Sequence, residues 1–186
     1  MALTPSNMLP LGTLAPDFEL PDTVSGQRLG LRQLASERAT LVMFICNHCP
    51  YVKHVNPELV RLARDYQPRG VAMVAISSND AANYPADAPE RMAEVAADQG
   101  YSFPYLYDRS QAVARAYQAA CTPDFYLFDG AQRLVYRGRL DGSTPGNGVP
   151  LSGADLRRAL DAVLAGEPVP ADQQPSLGCN IKWVKS

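Results

Sequence analysis

Apolar and polar positions along the chain fall into two periods. The run Thr40 to Ile45 is apolar almost throughout and rich in β-branched and large side chains, so a buried strand is predicted over residues 39–45. From Pro50 to Tyr66 the pattern changes: Val52, Val55, Leu59, Leu62, Ala63 and Tyr66 recur at helical spacing. Asn56-Pro57-Glu58 interrupts that helix and reads as a kink or a fresh start, with Asn56 as cap and Pro57 in the first helical position. Gly70 precedes a second apolar strand, Val71 to Ser77, and residues 78–86 are polar and loop-like. Asp87 with Glu90 has the spacing of a capping box, opening a helix that carries Met92, Val95 and Ala96 and stops at Gly100. A short extended piece, 103–106, leads to a helix over about 110–118. Phe125 to Phe128 and Leu134 to Leu140 then read as a hairpin across Asp129-Gly130. Ser152 with Asp155 is placed to cap a last helix with the stripe Leu156, Ala159, Leu160, Val163 and Leu164, ended by Gly166.

Both ends are less regular. Residues 1–14 form an extended arm, and Ala15 to Leu20 with Gln27 to Leu31 can pair as a hairpin across Ser25-Gly26, followed by one helical turn at Leu31 to Leu34. Residues 167–186 make a proline-spaced tail with the only tryptophan, Trp183. The expected division is arm 1–14, one domain 15–166, and a tail 167–186 packed on it. Strands joined through a helix should lie parallel. The closing hairpin adds antiparallel strands, giving an α/β fold whose central mixed sheet is flanked by helices.

Composition narrows the partners. The chain has 186 residues, enough for one domain with extensions, and a formal net charge of −2, which gives no basic footprint for nucleic acid. No apolar run reaches the length of a membrane span, and the first residues have neither a basic start nor a long apolar core. No nucleic-acid or membrane partner is therefore expected, and the expected compartment is cytoplasmic. Four cysteines in a reducing compartment argue for chemistry or metal over a disulfide scaffold.

The chemistry centres on Cys46-Asn47-His48-Cys49-Pro50, at the junction of the first core strand and its helix. Unpaired N–H groups and the positive helix end favour a thiolate there, and two cysteines three apart can cycle between dithiol and disulfide. A zinc half-site and two inert buried thiols are the alternatives, but zinc needs four ligands and Cys121 and Cys179 stand alone in sequence. No metal and no cofactor is expected. Cys46 should titrate below an ordinary thiol, with His48 tuning it; His54 reads as an ordinary helix residue.

This order of elements, with Cys46-Asn47-His48-Cys49-Pro50 after the first strand and Thr122-Pro123 before the hairpin, resembles the thioredoxin superfamily. Ala15-Pro16-Asp17-Phe18 and the run Asp108 to Gly142 are similar to its redoxin branch, the AhpC/TSA-like and peroxiredoxin-like proteins. Asn79-Asp80, Tyr84-Pro85, Ala120-Cys121-Thr122-Pro123-Asp124-Phe125 and Gly178-Cys179-Asn180-Ile181-Lys182-Trp183 resemble one little-characterised subgroup of it. The resemblance implies a thioredoxin-like fold with an N-terminal β-hairpin and an extended C-terminal tail. It also implies a cis Pro123 facing the cysteines, with the Thr122 backbone free to pair with an extended substrate.

The implied activity is thiol–disulfide exchange: Cys46 as nucleophile, Cys49 as resolving thiol, a disulfide-containing protein or small-thiol substrate, and a separate electron donor. Three departures bear on it. Ile45 stands where thioredoxin has tryptophan, and strand 39–45 lacks an acidic residue. Ala39, Met43 and Thr122 occupy places where peroxiredoxins carry proline, threonine and the peroxide-orienting arginine, so weak peroxidase activity at most is expected. The tail should pack back through Ile181 and Trp183. Cys179 then lies near Cys46, or beside Cys121, or apart from both; Cys179 and Cys121 are the candidate additional redox thiols.

Overall fold

The computed structural model describes residues 3–185. Its centre is β4 (Ala39–Phe44), buried at every position. A strand covered on both faces reads as a continuous apolar run rather than an alternating one, which is why this segment is legible in sequence. α2 (Pro50–Tyr66) returns the chain to β5 (Val71–Ser77), which pairs parallel to β4. α3 (Pro89–Gln99) leads to β6 (Tyr105–Tyr107), parallel to β5. α4 (Ala112–Ala116) and β7 (Cys121–Thr122) precede the antiparallel pair β8 (Asp124–Asp129) and β9 (Leu134–Gly138). The resulting five-stranded order is β6-β5-β4-β8-β9. α5 (Ala154–Leu164) completes a mixed sheet flanked by helices, the thioredoxin-like fold.

Alternation along β4 divides the core. Leu41 and Met43 face α2, α3 and α5. Val42 and Phe44 face the opposite cluster, with Tyr117 and Val113 of the α4 region, Leu20 and Leu29 from the hairpin of β2 (Glu19–Pro21) and β3 (Arg28–Gly30), and Ile181 of the tail. α1 (Leu31–Leu34) is the single turn expected after that hairpin.

Several local expectations are corrected. α2 runs unbroken through Pro57, and Asn56, instead of capping, accepts a hydrogen bond from the Tyr101 hydroxyl at 2.7 Å. The N-cap of α3 is Ala88, with no side-chain cap, because Asp87 turns elsewhere. Gly153 is the N-cap of α5; Asp141 receives the Ser152 and Gly153 N–H groups at 2.8 and 2.6 Å, so Ser152 is not needed as a cap.

The two ends meet each other. β1 (Leu3–Pro5), within the segment read as an extended arm, pairs antiparallel with β10 (Leu177–Asn180). β10 pairs on its other side with β7, making a small sheet in the order β1-β10-β7. Ile181 is buried as expected, but Trp183 is 37% exposed and stacks under the Arg115 guanidinium, 4.9 Å from its ring centre. Among the described residues no helix is long and apolar enough to cross a membrane.

Candidate active site

Cys49 is the N-cap of α2, with Pro50 at the first helical position. Proline suits that place because its missing N–H would be unpartnered there anyway. Cys46 sits just beyond the end of β4, and both thiols are buried. Facing them is Thr122, joined to Pro123 by a cis peptide bond. The Cys46 sulfur is 3.4 Å from the Thr122 hydroxyl, and the Cys49 thiol lies 3.3 Å from the Thr122 carbonyl. The structure thus brings Cys46, Cys49, Thr122 and Pro123 together.

It adds Cys179 in a place between the two destinations considered. The Cys179 sulfur is 2.7 Å from that of Cys49, and its backbone pairs in register with Thr122. The Thr122 edge, expected to be free for an extended substrate, is occupied by the chain's own β10. Cys121 makes no sulfur–sulfur contact among the described residues; its thiol points at the Pro123 carbonyl, 3.8 Å away. Burial, then the nearby Asp124 carboxylate, pushes the Cys121 thiol far above its ordinary value.

The electrostatics reverse the expectation for Cys46. Cys49 is pushed down to about 5, first by the hydrogen bond from Cys46, with further help from the Cys179 thiol and the Val52 N–H, against the cost of burial. Cys46 is raised well above an ordinary thiol, first by sharing its proton with Cys49, then by burial and by the Asp87 carboxylate. Burial, then the hydrogen bond to Cys49, pushes Cys179 up to about 12. Within the pair, the surroundings therefore favour the anionic form on Cys49, at the helix N-cap, over Cys46.

Asp87 is the residue that sequence reasoning misassigned. It is fully buried, and its carboxylate accepts from the Asn47 and His48 N–H groups at 2.8 and 3.2 Å, and from the Asn79 amide at 2.8 Å. The same carboxylate lies 2.5 Å from His48 Nδ1. His48 is thus turned toward Asp87 and stacks on Tyr84 with ring centres 5.6 Å apart. The Asp87 carboxylate it faces acts on Cys46 in the direction opposite to the one expected of His48. Asn79 also accepts from the Lys182 N–H at 2.8 Å, linking the cysteine loop to the tail. The only sequence signal for this role was the Asn79-Asp80 and Tyr84-Pro85 neighbourhood; Asp87 itself looked like a cap.

Cys46, His48 and Asp87 could offer three metal-ligand atoms within 4.8 Å of one another, but His48 and Asp87 already pair with each other. His54 is more than a helix residue: its Nε2 is 2.7 Å from the Ser143 hydroxyl, and it lines a cleft of about 400 Å³ with Tyr51, Pro123, Arg139 and Leu177. No cysteine lines that cleft, although it opens beside Pro123.

A Cys-x-x-Cys pair at a strand–helix junction, set against a cis X–Pro bond on this sheet order, defines a thioredoxin-like redox protein. The chain belongs to the AhpC/TSA family, whose sequence model matches residues 11–137. It is similar over its whole length to an uncharacterized conserved protein from Geobacillus kaustophilus, with 58% identity, a TM-score of 0.99, and 100% of this chain and 98% of that one covered. It is also similar to a hypothetical protein from Sinorhizobium meliloti 1021, with 50% identity, a TM-score of 0.96, and 98% and 100% covered. A curated relative, the thiol-disulfide oxidoreductase ResA of Halalkalibacterium halodurans, is 28% identical over 125 residues, 67% of this chain and 65% of that protein's length.

Proposed function

We propose that this protein is a thioredoxin-like thiol–disulfide oxidoreductase working through a Cys46/Cys49 couple. The observation that carries the reading is the geometry at the start of α2: the Cys46 sulfur lies 3.4 Å from the Thr122 hydroxyl and the Cys49 sulfur, at the helix N-cap, 3.3 Å from the Thr122 carbonyl. Cys49 serves first as base. The proton on Cys46 crosses to the Cys49 sulfur, leaving a Cys46 thiolate. That thiolate attacks one sulfur of a substrate disulfide, the S–S bond breaks, and the other substrate sulfur departs as a thiolate that takes up a proton. Cys49, again deprotonated, attacks the Cys46 sulfur of the mixed disulfide and expels the second substrate thiol. The product is a Cys46–Cys49 disulfide, which a separate dithiol donor reduces.

With the Thr122 backbone edge taken by β10, the Thr122 hydroxyl beside Cys46 and Pro123 at the neighbouring cleft are the proposed substrate contacts, with the substrate a disulfide-bearing protein or a small disulfide. The proposed role is cell redox homeostasis, with antioxidant activity through repair of disulfides, and the proposed compartment is cytoplasmic, resting on cysteine usage typical of a reducing environment. The resemblance of the chain to ResA supports the exchange reaction over peroxide chemistry.

The test is trapping. Cys49→Ser, incubated with a small aromatic disulfide, should accumulate a mixed disulfide on Cys46 and lose turnover, whereas Cys46→Ser should form none. A mixed disulfide on neither cysteine would overturn the reading. So would oxidation of the wild type by hydrogen peroxide far faster than a free thiolate, which would place the protein among the family's peroxidases.

A further inference from the structure

Cys179 is held against the redox pair by several independent tethers. β10 is flanked on both sides, with Cys179 in register with Leu3 of β1 and Thr122 of β7. The Ile181 N–H donates to the Ala120 carbonyl at 3.0 Å, and the Lys182 carbonyl accepts from Asp80 N–H and the Gln111 amide, both at 2.9 Å. Gly178 allows the approach: a Cβ there would stand 2.0 Å from the Thr122 carbonyl oxygen. An extended segment carrying a cysteine thus pairs with the residue before the cis-proline and sets its sulfur on Cys49. Those are the features a bound disulfide substrate would present, supplied here by the chain itself.

We propose that Cys179 is a third redox thiol that takes the disulfide from Cys46–Cys49 by attacking Cys49. The proposal rests on the exchange reaction of the preceding section. Once Cys46–Cys49 has formed, the Cys179 sulfur attacks the Cys49 sulfur. A Cys49–Cys179 bond forms, the Cys46–Cys49 bond breaks, and Cys46 leaves as a thiolate. The proton lost by Cys179 is the one Cys46 gains, so the step needs no external oxidant or reductant and leaves the oxidation level of the protein unchanged. The oxidised protein then carries its disulfide on the tail side, and Cys46 is again a free thiol. The electron donor must reduce Cys49–Cys179, so the substrate-facing sulfur and the donor-facing disulfide become separate.

The experiment uses the full chain. The reduced wild type is treated with a single equivalent of diamide, quenched in acid, alkylated, digested without reductant and mapped by mass spectrometry. The expected result is a Cys49–Cys179 bridge with Cys46 alkylated in the same chains. Cys46→Ser should form the Cys49–Cys179 bridge, and Cys179→Ser should lose Cys46 alkylation on oxidation because only Cys46–Cys49 remains available. Wild type with Cys46–Cys49 alone and Cys179 fully alkylated would overturn this proposal while leaving the exchange reaction standing. Neither bridge would overturn both. Since the wild-type map decides the matter, a variant that fails to fold does not protect the proposal.

Discussion

Asp87 shows how much one residue can carry once the chain is folded. Its carboxylate takes N–H groups from both residues between the cysteines and lies beside the His48 ring. It therefore shapes the loop and also disfavours a thiolate on Cys46. Asp87→Asn keeps an acceptor for the backbone N–H groups and removes the charge. In a Cys49→Ser background, where the proton-sharing partner is absent, the alkylation midpoint of Cys46 should move down by about one pH unit, the scale of a single neighbouring charge. Iodoacetamide rates against pH measure it. An unmoved or higher midpoint would mean that the Asp87 charge does not reach the sulfur.

At the scale of elements, β10 decides what the active site shows to the outside. It covers the Thr122 edge, and it depends on Gly178 having no side chain, because the Cβ of any other residue would collide with the Thr122 carbonyl. Backbone cannot yield as a flexible side chain can, so Gly178→Ala should lift β10 from β7 while leaving the five-stranded sheet intact. The expected outcome is faster alkylation of Cys46, early proteolytic loss of the tail, and disappearance of any Cys49–Cys179 bridge on oxidation. Limited proteolysis with peptide mapping reads all three. A variant with wild-type alkylation and wild-type tail protection would show that β10 accommodates the methyl group. α2 teaches a related point: its interior Pro57 did not break it, because burial of Val52, Val55, Leu59 and Leu62 against the sheet outweighs one missing hydrogen bond.

For the whole molecule, Asp124 sets a pH dependence. It lies where N-terminal segment, sheet and tail converge, accepting from the Ser6 hydroxyl at 2.8 Å and the Tyr126 hydroxyl at 2.9 Å, while Ser6 also meets Ser176. Complete burial pushes its carboxyl up to about 7, a cost only partly offset by those hydrogen bonds. The folded-state value is raised, so the stabilisation is full below the unfolded carboxyl value of about 4 and is lost as pH rises through 7. Relative to Asp124→Asn, the wild type should lose on the order of a few kcal/mol of stability between pH 4 and pH 8. Urea unfolding of both proteins across that range tests it, and parallel profiles would show that Asp124 stays charged when buried.

Local patterning determined a great deal on its own. β4 and β5 are apolar runs bounded by turn residues, the stripe of α2 has helical period, and Cys46 and Cys49 are fixed near the start of α2 by their position between strand and helix. These features depend on neighbours in sequence, so the sequence contains them. Contacts between residues 118 apart, such as Ser6 with Asp124, or 130 apart, such as Cys49 with Cys179, do not. Only packing could reveal that Asp87 faces the cysteine loop instead of capping its helix, that the tail occupies the Thr122 edge, and that the surroundings push the Cys49 thiol down and the Cys46 thiol up. A side chain with two competing partners, one local and one distant, takes the one that burial strengthens, and burial is a property of the folded chain.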